Sequence, residues 1–186
     1  MTLPTLVDDR FRAAASSFGL LDVSYDVTES PLGRLFLAAS ERGLCRIVYD
    51  AEPEAEEERL ARGFGARVLR APRALDETRR ELDDYFEGRR HAFELPVDLR
   101  VVGDFQRQVL GRLAEVPYGS VTTYGALAAE SGRPRAARAV GGAMNRNPVP
   151  IVLPCHRVVG SDGRLVGYGG GLERKVALLR LEGVEL

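Results

Sequence analysis

The chain has 186 residues, 45% hydrophobic and 28% charged, with a formal net charge of −1. That length suits one large domain or two small ones, and the near-neutral balance argues against a nucleic-acid binder that is basic throughout. No apolar run approaches the roughly 20 residues needed to cross a bilayer. The opening MTLPTLVDDRF lacks the regions of a signal peptide, and two cysteines allow at most one disulfide, so a cytoplasmic setting is expected.

Residues Leu6–Phe18 suit a short N-terminal helix or an arm. LDVSYDVTES alternates apolar and polar positions as a half-buried strand does; RLFLAAS and LCRIVYD follow after short turns, giving an antiparallel meander. Cys45, in the third of these strands, reads as a small core residue. PEAEEERLARGF starts on Pro53 with acids early and arginines late, which suits a helix and its dipole. ARVLRAP reads as a further strand. ALDETRRELDDYFEG places Leu75, Leu82 and Phe86 at helical spacing and stops at Gly88. His91 has no cysteine or histidine spaced around it and reads as a surface residue of a loop or edge strand.

ELPVDLRVVG reads as a linker. Residues 1–100 hold 15 Arg/Lys and 20 Asp/Glu, whereas residues 101–186 hold 11 and 7. We therefore expect two domains, 1–100 and 101–186, with the change of charge sign between them. DFQRQVLGRLAEV opens on Asp104, a good N-cap, with Phe105, Val109, Leu110 and Leu113 on one side. TTYGALAAESG is a short helix capped by Thr122 or Thr123 and ended by Gly132. RPRAARAVGGAMNRN is a second, with Pro134 in its first turn. Two short helices joined by a glycine-containing turn fit helix-turn-helix geometry. Between Ser131 and Ser161 stand five arginines and no acid, the footprint of a phosphate-binding surface or of an arginine-rich exposed helix. AARAVGGA carries almost no bulk. It suits either close packing on a neighbouring helix or a backbone that approaches a narrow groove, with Arg138 as the one long side chain.

In IVLPCHRVVG, Cys155 and His156 are adjacent. On a plain strand they would face opposite ways, so direct pairing needs a turn at Pro154–Cys155 or an intervening water. A cysteine with a histidine nearby can lose its proton and become a nucleophile, and the imidazole needs an acceptor to fix its tautomer. The acids downstream are Asp162, Glu173, Glu182 and Glu185. These residues by themselves also fit a cysteine hydrolase, and the two short helices also fit a regulator without chemistry.

The fuller stretch NPVPIVLPCHRVVGSDGRLVGYGGGLERKVALLRLEG resembles the active-site segment of the O6-alkylguanine-DNA alkyltransferases, or methylated-DNA–protein-cysteine methyltransferases. PYGSVTTYGALA and RAARAVGGA upstream fit in order and spacing. The resemblance runs from about Asp104 to Gly183 and is only architectural in residues 1–100. It implies an α+β protein: a ribonuclease H-like N-terminal sheet with helices, then a winged-helix-like domain bearing the helix-turn-helix. It implies irreversible transfer of the alkyl group from O6-alkylguanine, and from O4-alkylthymine, in flipped-out nucleotides to the protein itself, once.

By the same resemblance Cys155 is the acceptor, His156 its base through a water, and Glu182 the carboxylate that orients His156. Asn147 ties the helix-turn-helix to the active-site loop. Tyr124 helps expel the guanine and crowds the target phosphate. Arg138 takes the place of the extruded base, and Ala137, Ala139, Gly141, Arg133 and Arg135 complete the DNA-binding surface. Pro150, Val158, Tyr168, Gly169 and Gly170 wall the guanine pocket, with the carbonyls of Cys155 and Val158 reading the exocyclic amine. The expected partner is alkylated double-stranded DNA, bound without sequence specificity by a monomer, with no membrane contact and no cofactor. Gly169 stands where the family often has serine. With only Cys45 and His91 in the first hundred residues, no zinc site is expected.

The chemistry is consistent with this reading. Displacement at an sp3 carbon needs a thiolate in line with the carbon–oxygen bond and a donor to the departing base, and a base inside a stacked duplex must first be flipped out.

Overall fold

Alternation of apolar and polar residues marks β1 (Val23–Thr28), whereas β2 (Leu35–Ser40) and β3 (Gly43–Tyr49) are nearly continuous apolar runs. In this computed structural model, which describes Ala14 and residues 19–185, the three form the expected antiparallel meander. The helix or arm expected over Leu6–Phe18 lies outside the described residues, Ala14 apart. Helix α1 (Pro53–Phe64) begins on its proline, and β4 (Val68–Arg70) then pairs parallel with β1, giving the order β3-β2-β1-β4. A 3-10 turn (Pro72–Leu75) leads into α2 (Asp76–Phe86).

The half-buried strand expected at β1 is instead buried on both faces over Val23–Asp26. Ser24 and Asp26 are covered as well as Val23 and Tyr25. Asp26 meets that environment by pairing with Arg70 (3.0 Å) and Arg79. Cys45 is a core thiol, as expected, packed with Val23, Tyr25, Phe36, Ala38 and Leu60.

The expected linker is in part structure. Leu44 N–H donates to Pro96 O (2.8 Å) and Asp98 N–H to Leu44 O (2.9 Å), so residues 96–98 lie along the free edge of β3. Gly43 permits this approach: its φ is +126°, and a Cβ there would sit 2.2 Å from Pro96 O.

By contact the chain divides into two units, one running to Arg90 and including Glu94–Val101, the other made of His91–Phe93 and Val102 onward. The second is mainly helical: α3 (Asp104–Ala114), α4 (Tyr124–Glu130), α5 (Ala137–Asn145) and α6 (Leu172–Leu181). Two short strands, β5 (Thr122–Thr123) and β6 (Val158–Val159), pair parallel. The core comprises Val109, Leu110 and Leu113 of α3, Leu127 and Ala128 of α4, Val140 and Ala143 of α5, and Leu178 and Leu179 of α6.

Two local expectations change. The N-cap of α3 is Gly103; Asp104 is the first helical residue and pairs with Arg107 instead. Pro134 lies in the turn before α5, which starts at Ala137, so Arg133 and Arg135 belong to that turn. His91 is exposed as expected, but its ring stacks on Tyr118, with centroids 4.2 Å apart.

Candidate active site and nucleic-acid interface

The Cys155–His156 segment is a turn. Residues Cys155–Arg157 form a short 3-10 helix between Pro154 and β6, so Cys155 and His156 do not take the opposite faces of a strand. Pairing of β6 with β5 brings the start of α4 alongside, and α4 is capped by Thr123, whose Oγ1 accepts from Ala126 N–H at 3.1 Å. Tyr124, the first residue of α4, thereby reaches the site. A cavity of about 260 Å³ opens there, lined by Tyr124, Gly141, Met144, Asn145, Cys155, Gly167, Tyr168 and Gly169.

Behind it lies a buried polar cluster. His156 is fully covered, and its Nε2 lies 2.8 Å from Glu182 Oε1. Arg157 donates to the same carboxylate from Nε and Nη2, each at 2.8 Å, and from Nη1 to Val116 O at 2.6 Å. Gly119 N–H adds a longer bond to Glu182 Oε2 (3.3 Å), and the Tyr118 hydroxyl donates to Leu181 O (2.9 Å). Lys175 is fully buried within α6 and donates to Val158 O (2.6 Å) and Val166 O (3.0 Å). It thus ties β6 to the segment that leads into Tyr168 and Gly169.

Asn147 pins the loop ahead of Cys155. Its Nδ2 donates to Leu153 O (2.8 Å), and its Oδ1 accepts from Val149 N–H (3.1 Å). Inside that loop Ile151 holds φ at +75°, a conformation that a β-branched residue adopts only when its surroundings impose it.

The electrostatics differ from a free cysteine's. Burial pushes the Cys155 thiol up to about 11, against the opposing pulls of Asn147 and Lys175. At neutral pH the resting group is therefore a thiol. Burial, and then the nearness of Cys155, raise the Tyr124 phenol, which keeps it a proton donor. Burial lowers the His156 pKa, partly offset by Glu182.

Helices α4 and α5 and the turn between them carry the exposed residues expected at a nucleic-acid surface. Arg138 and Ala139 are exposed, Ala137 and Gly141 partly so. Arg133 is exposed too, but its guanidinium lies over the Phe105 ring, 4.7 Å from the centroid. A Cβ at Gly141 would meet the Tyr124 ring at no less than 3.8 Å, and one at Gly142 only the Arg146 guanidinium at 3.4 Å. Packing within the chain does not demand glycine at either position, which favours an outside surface as the reason for the smooth helix.

Of the residues expected in the pocket, Tyr168 and Gly169 line the cavity, whereas Pro150, Val158 and Gly170 are not in its lining. Val158 O is engaged by Lys175, and Cys155 O accepts the Val158 N–H. Sequence reasoning missed Met144, Asn145 and Gly167 in the wall, and Arg157, Lys175 and the 116–119 turn behind it. Arg157 stood in the quoted motif and counted among the five arginines of the basic stretch, but it is buried against Glu182 and is not part of an exposed basic surface. No group of three or more potential metal ligands occurs among the described residues.

Comparison with known proteins agrees along the chain. Residues 104–184 match the family model described as 6-O-methylguanine DNA methyltransferase, DNA binding domain, and residues 23–99 match that of its ribonuclease-like domain. A methylated-DNA–protein-cysteine methyltransferase of Methanosarcina barkeri is 42% identical over 158 residues, 85% of this chain and 96% of the relative. One from Mycolicibacterium paratuberculosis is 40% identical over 161 residues, covering 86% and 92%. Among solved structures, the O6-methylguanine methyltransferase of Mycobacterium tuberculosis superposes with a TM-score of 0.73 at 39% identity, covering 86% of this chain and 92% of that one. The M. tuberculosis OGT in complex with DNA gives 0.75 at 38%, with the same coverage.

Proposed function

The chain belongs to the methylated-DNA–protein-cysteine methyltransferase family, and we propose that Cys155 is the cysteine on which its reaction ends. The activity is DNA repair by alkyl transfer, with alkylated DNA as the partner. The observation that carries the assignment is the place of Cys155: it lines the cavity beside Tyr124 and directly precedes a histidine bound to a buried carboxylate. Cys45, by contrast, is 2% exposed in the core of the other unit, its Sγ against Ala38 O at 3.3 Å.

In this reading the flipped alkylguanine enters the cavity between Tyr124 and the Tyr168–Gly169 wall. The Cys155 proton passes through a water to His156. Sγ forms a bond to the alkyl carbon as the carbon–oxygen bond breaks, and its electrons leave with the guanine, which takes a proton from the Tyr124 hydroxyl. Because the resting group is a thiol, its deprotonation belongs to the reacting complex. Arg138 on α5 fills the space of the extruded base, and Asn147 holds the acceptor loop to α5. Among the described residues lining the cavity none would cleave the thioether, so in this reading each chain acts once. Acceptor, base and helix-turn-helix on one chain support action as a monomer on DNA, and a cytoplasmic location is part of the same proposal; among the described residues no helix is long and apolar enough to cross a membrane.

The test is peptide mapping after incubation with methylated duplex DNA. One methyl group per chain is expected on the peptide holding Cys155, lost in Cys155→Ser and kept in Cys45→Ala. An adduct on Cys45 would overturn the assignment.

A further inference from the structure

Arg157 brings a permanent positive charge to a side chain that is only 7% exposed, against a carboxylate that is fully covered. It is braced on three sides: by Glu182, by Val116 O, and by the Tyr118 ring, whose centroid lies 5.9 Å from its Cζ. We propose that Arg157 is a positioning residue for the transfer reaction: as the counterion of Glu182 it keeps His156 neutral, with the proton on Nε2 and Nδ1 as the accepting atom. The inference rests on the reading of Cys155 as acceptor and His156 as its base.

The argument is one of buried charge. A covered carboxylate must be compensated. Arg157, always charged, and His156, charged only when protonated, both bond Glu182 and can do this. With Arg157 in place the carboxylate is already matched. A proton on His156 would then add another buried cation near both Arg157 and Lys175. Without Arg157 the carboxylate would draw a proton onto His156, and an imidazolium cannot accept the proton of Cys155.

The groups around His156 are Arg157 and Cys155 on its own turn, Lys175 within α6 and Glu182 just after it, and Tyr118 of the 116–119 turn against Arg157 and Glu182. Burial first, then the charges of Arg157 and Lys175, hold its pKa down, and Glu182 opposes them. His156 Nδ1 is buried with no partner among the described residues, which leaves it as the acceptor. The balance of the step is then fixed. The proton leaves Sγ for Nδ1 through the water, the sulfur pair forms the new carbon–sulfur bond as the carbon–oxygen bond breaks, the guanine leaves with that bond's electrons and takes a proton from Tyr124, and the imidazolium that results is stabilised by Glu182.

The test is nitrogen NMR of the free protein labelled at histidine, with His91→Gln separating the signals of the two histidines in the chain. Wild-type His156 should be neutral at pH 7 with its proton on Nε2. In Arg157→Gln the protonated fraction at pH 7 should rise at least tenfold, and the acid limb of the single-turnover transfer rate should move to higher pH by one unit or more, with DNA affinity unchanged. Arg157→Lys, which keeps the charge, should restore most of the wild-type titration. Arg157→Gln/Glu182→Gln should return His156 to the neutral form while transfer stays slow. No substrate enters the NMR measurement, so its result stands even if the acceptor were another residue. A wild-type His156 that is protonated at pH 7, or carries its proton on Nδ1, would overturn the proposal whether or not Arg157→Gln folds. So would a folded Arg157→Gln protein whose His156 titrates as in the wild type.

Discussion

At the scale of single residues, the cluster behind Cys155 works as one device. In the proposed reaction His156 takes the proton and Glu182 fixes its tautomer, so removing either would leave the other with nothing to do. His156→Ala and Glu182→Gln should each slow transfer about 100-fold or more, the scale of general-base catalysis, with little change in DNA affinity. The double variant should be no slower than the worse single one, because groups acting as a unit are strongly non-additive. Single-turnover rates measure this, and a double variant slowed by the product of both effects would indicate independent roles. The meeting of His156 with Glu182, 2.8 Å apart, and the place of Cys155 at the cavity were legible because the ordered motif around them is specific. Arg157 and Lys175 were not. Their meaning lies in what they touch: a carboxylate 25 residues away for Arg157, and two carbonyls, 17 and 9 residues away, for Lys175. Nothing in their local pattern separates a buried cation from an exposed one.

At the scale of elements, the helix-turn-helix and the acceptor turn are joined by short devices: the β5–β6 pair, the Thr123 cap and the Asn147 bonds. This coupling places the exposed Arg138 and the reacting thiol on one frame. Arg138→Ala should therefore lower the transfer rate on methylated duplex DNA at least tenfold and barely change reaction with the free alkylated base, since only the duplex must be opened. Parallel rate measurements on the two substrates decide this; equal losses would place Arg138 in the chemistry. Most elements were legible from hydrophobic period, and the boundaries less so. Pro134 suggested a helix start because proline suits a first turn, but Ala136 is the N-cap. ELPVDLRVVG read as a linker because its composition carries no period, and what orders it is the free edge of β3, a partner remote in sequence.

At the scale of the whole molecule, each unit buries one thiol, Cys45 in the first and Cys155 in the second. Burial raises Cys45 to about 12 and Cys155 to about 11, above the ordinary value of 9.0. Below pH 9 the folded and unfolded chains both hold these protons. Above it the unfolded chain releases them first, so stability falls as pH rises toward the folded values, by about 1.4 kcal/mol per pH unit for each thiol. Denaturant unfolding between pH 8 and 10.5 should show this loss, and Cys45→Ala should shallow it; an unchanged slope would mean that Cys45 ionises as freely folded as unfolded. The division into two parts was legible from the change of charge sign, whereas the grouping of His91–Phe93 with the second unit was not, because it depends on packing such as the His91–Tyr118 stack. The central claim is that the thiol at this cavity accepts one alkyl group and stops. The measurement that tests it most directly is intact-protein mass, followed together with loss of the lesion, in a tenfold excess of methylated duplex DNA. The account predicts one methyl group per chain and one lesion removed per chain, after which both curves stay flat; lesions removed in excess of chains, or removed with no gain in protein mass, would contradict it.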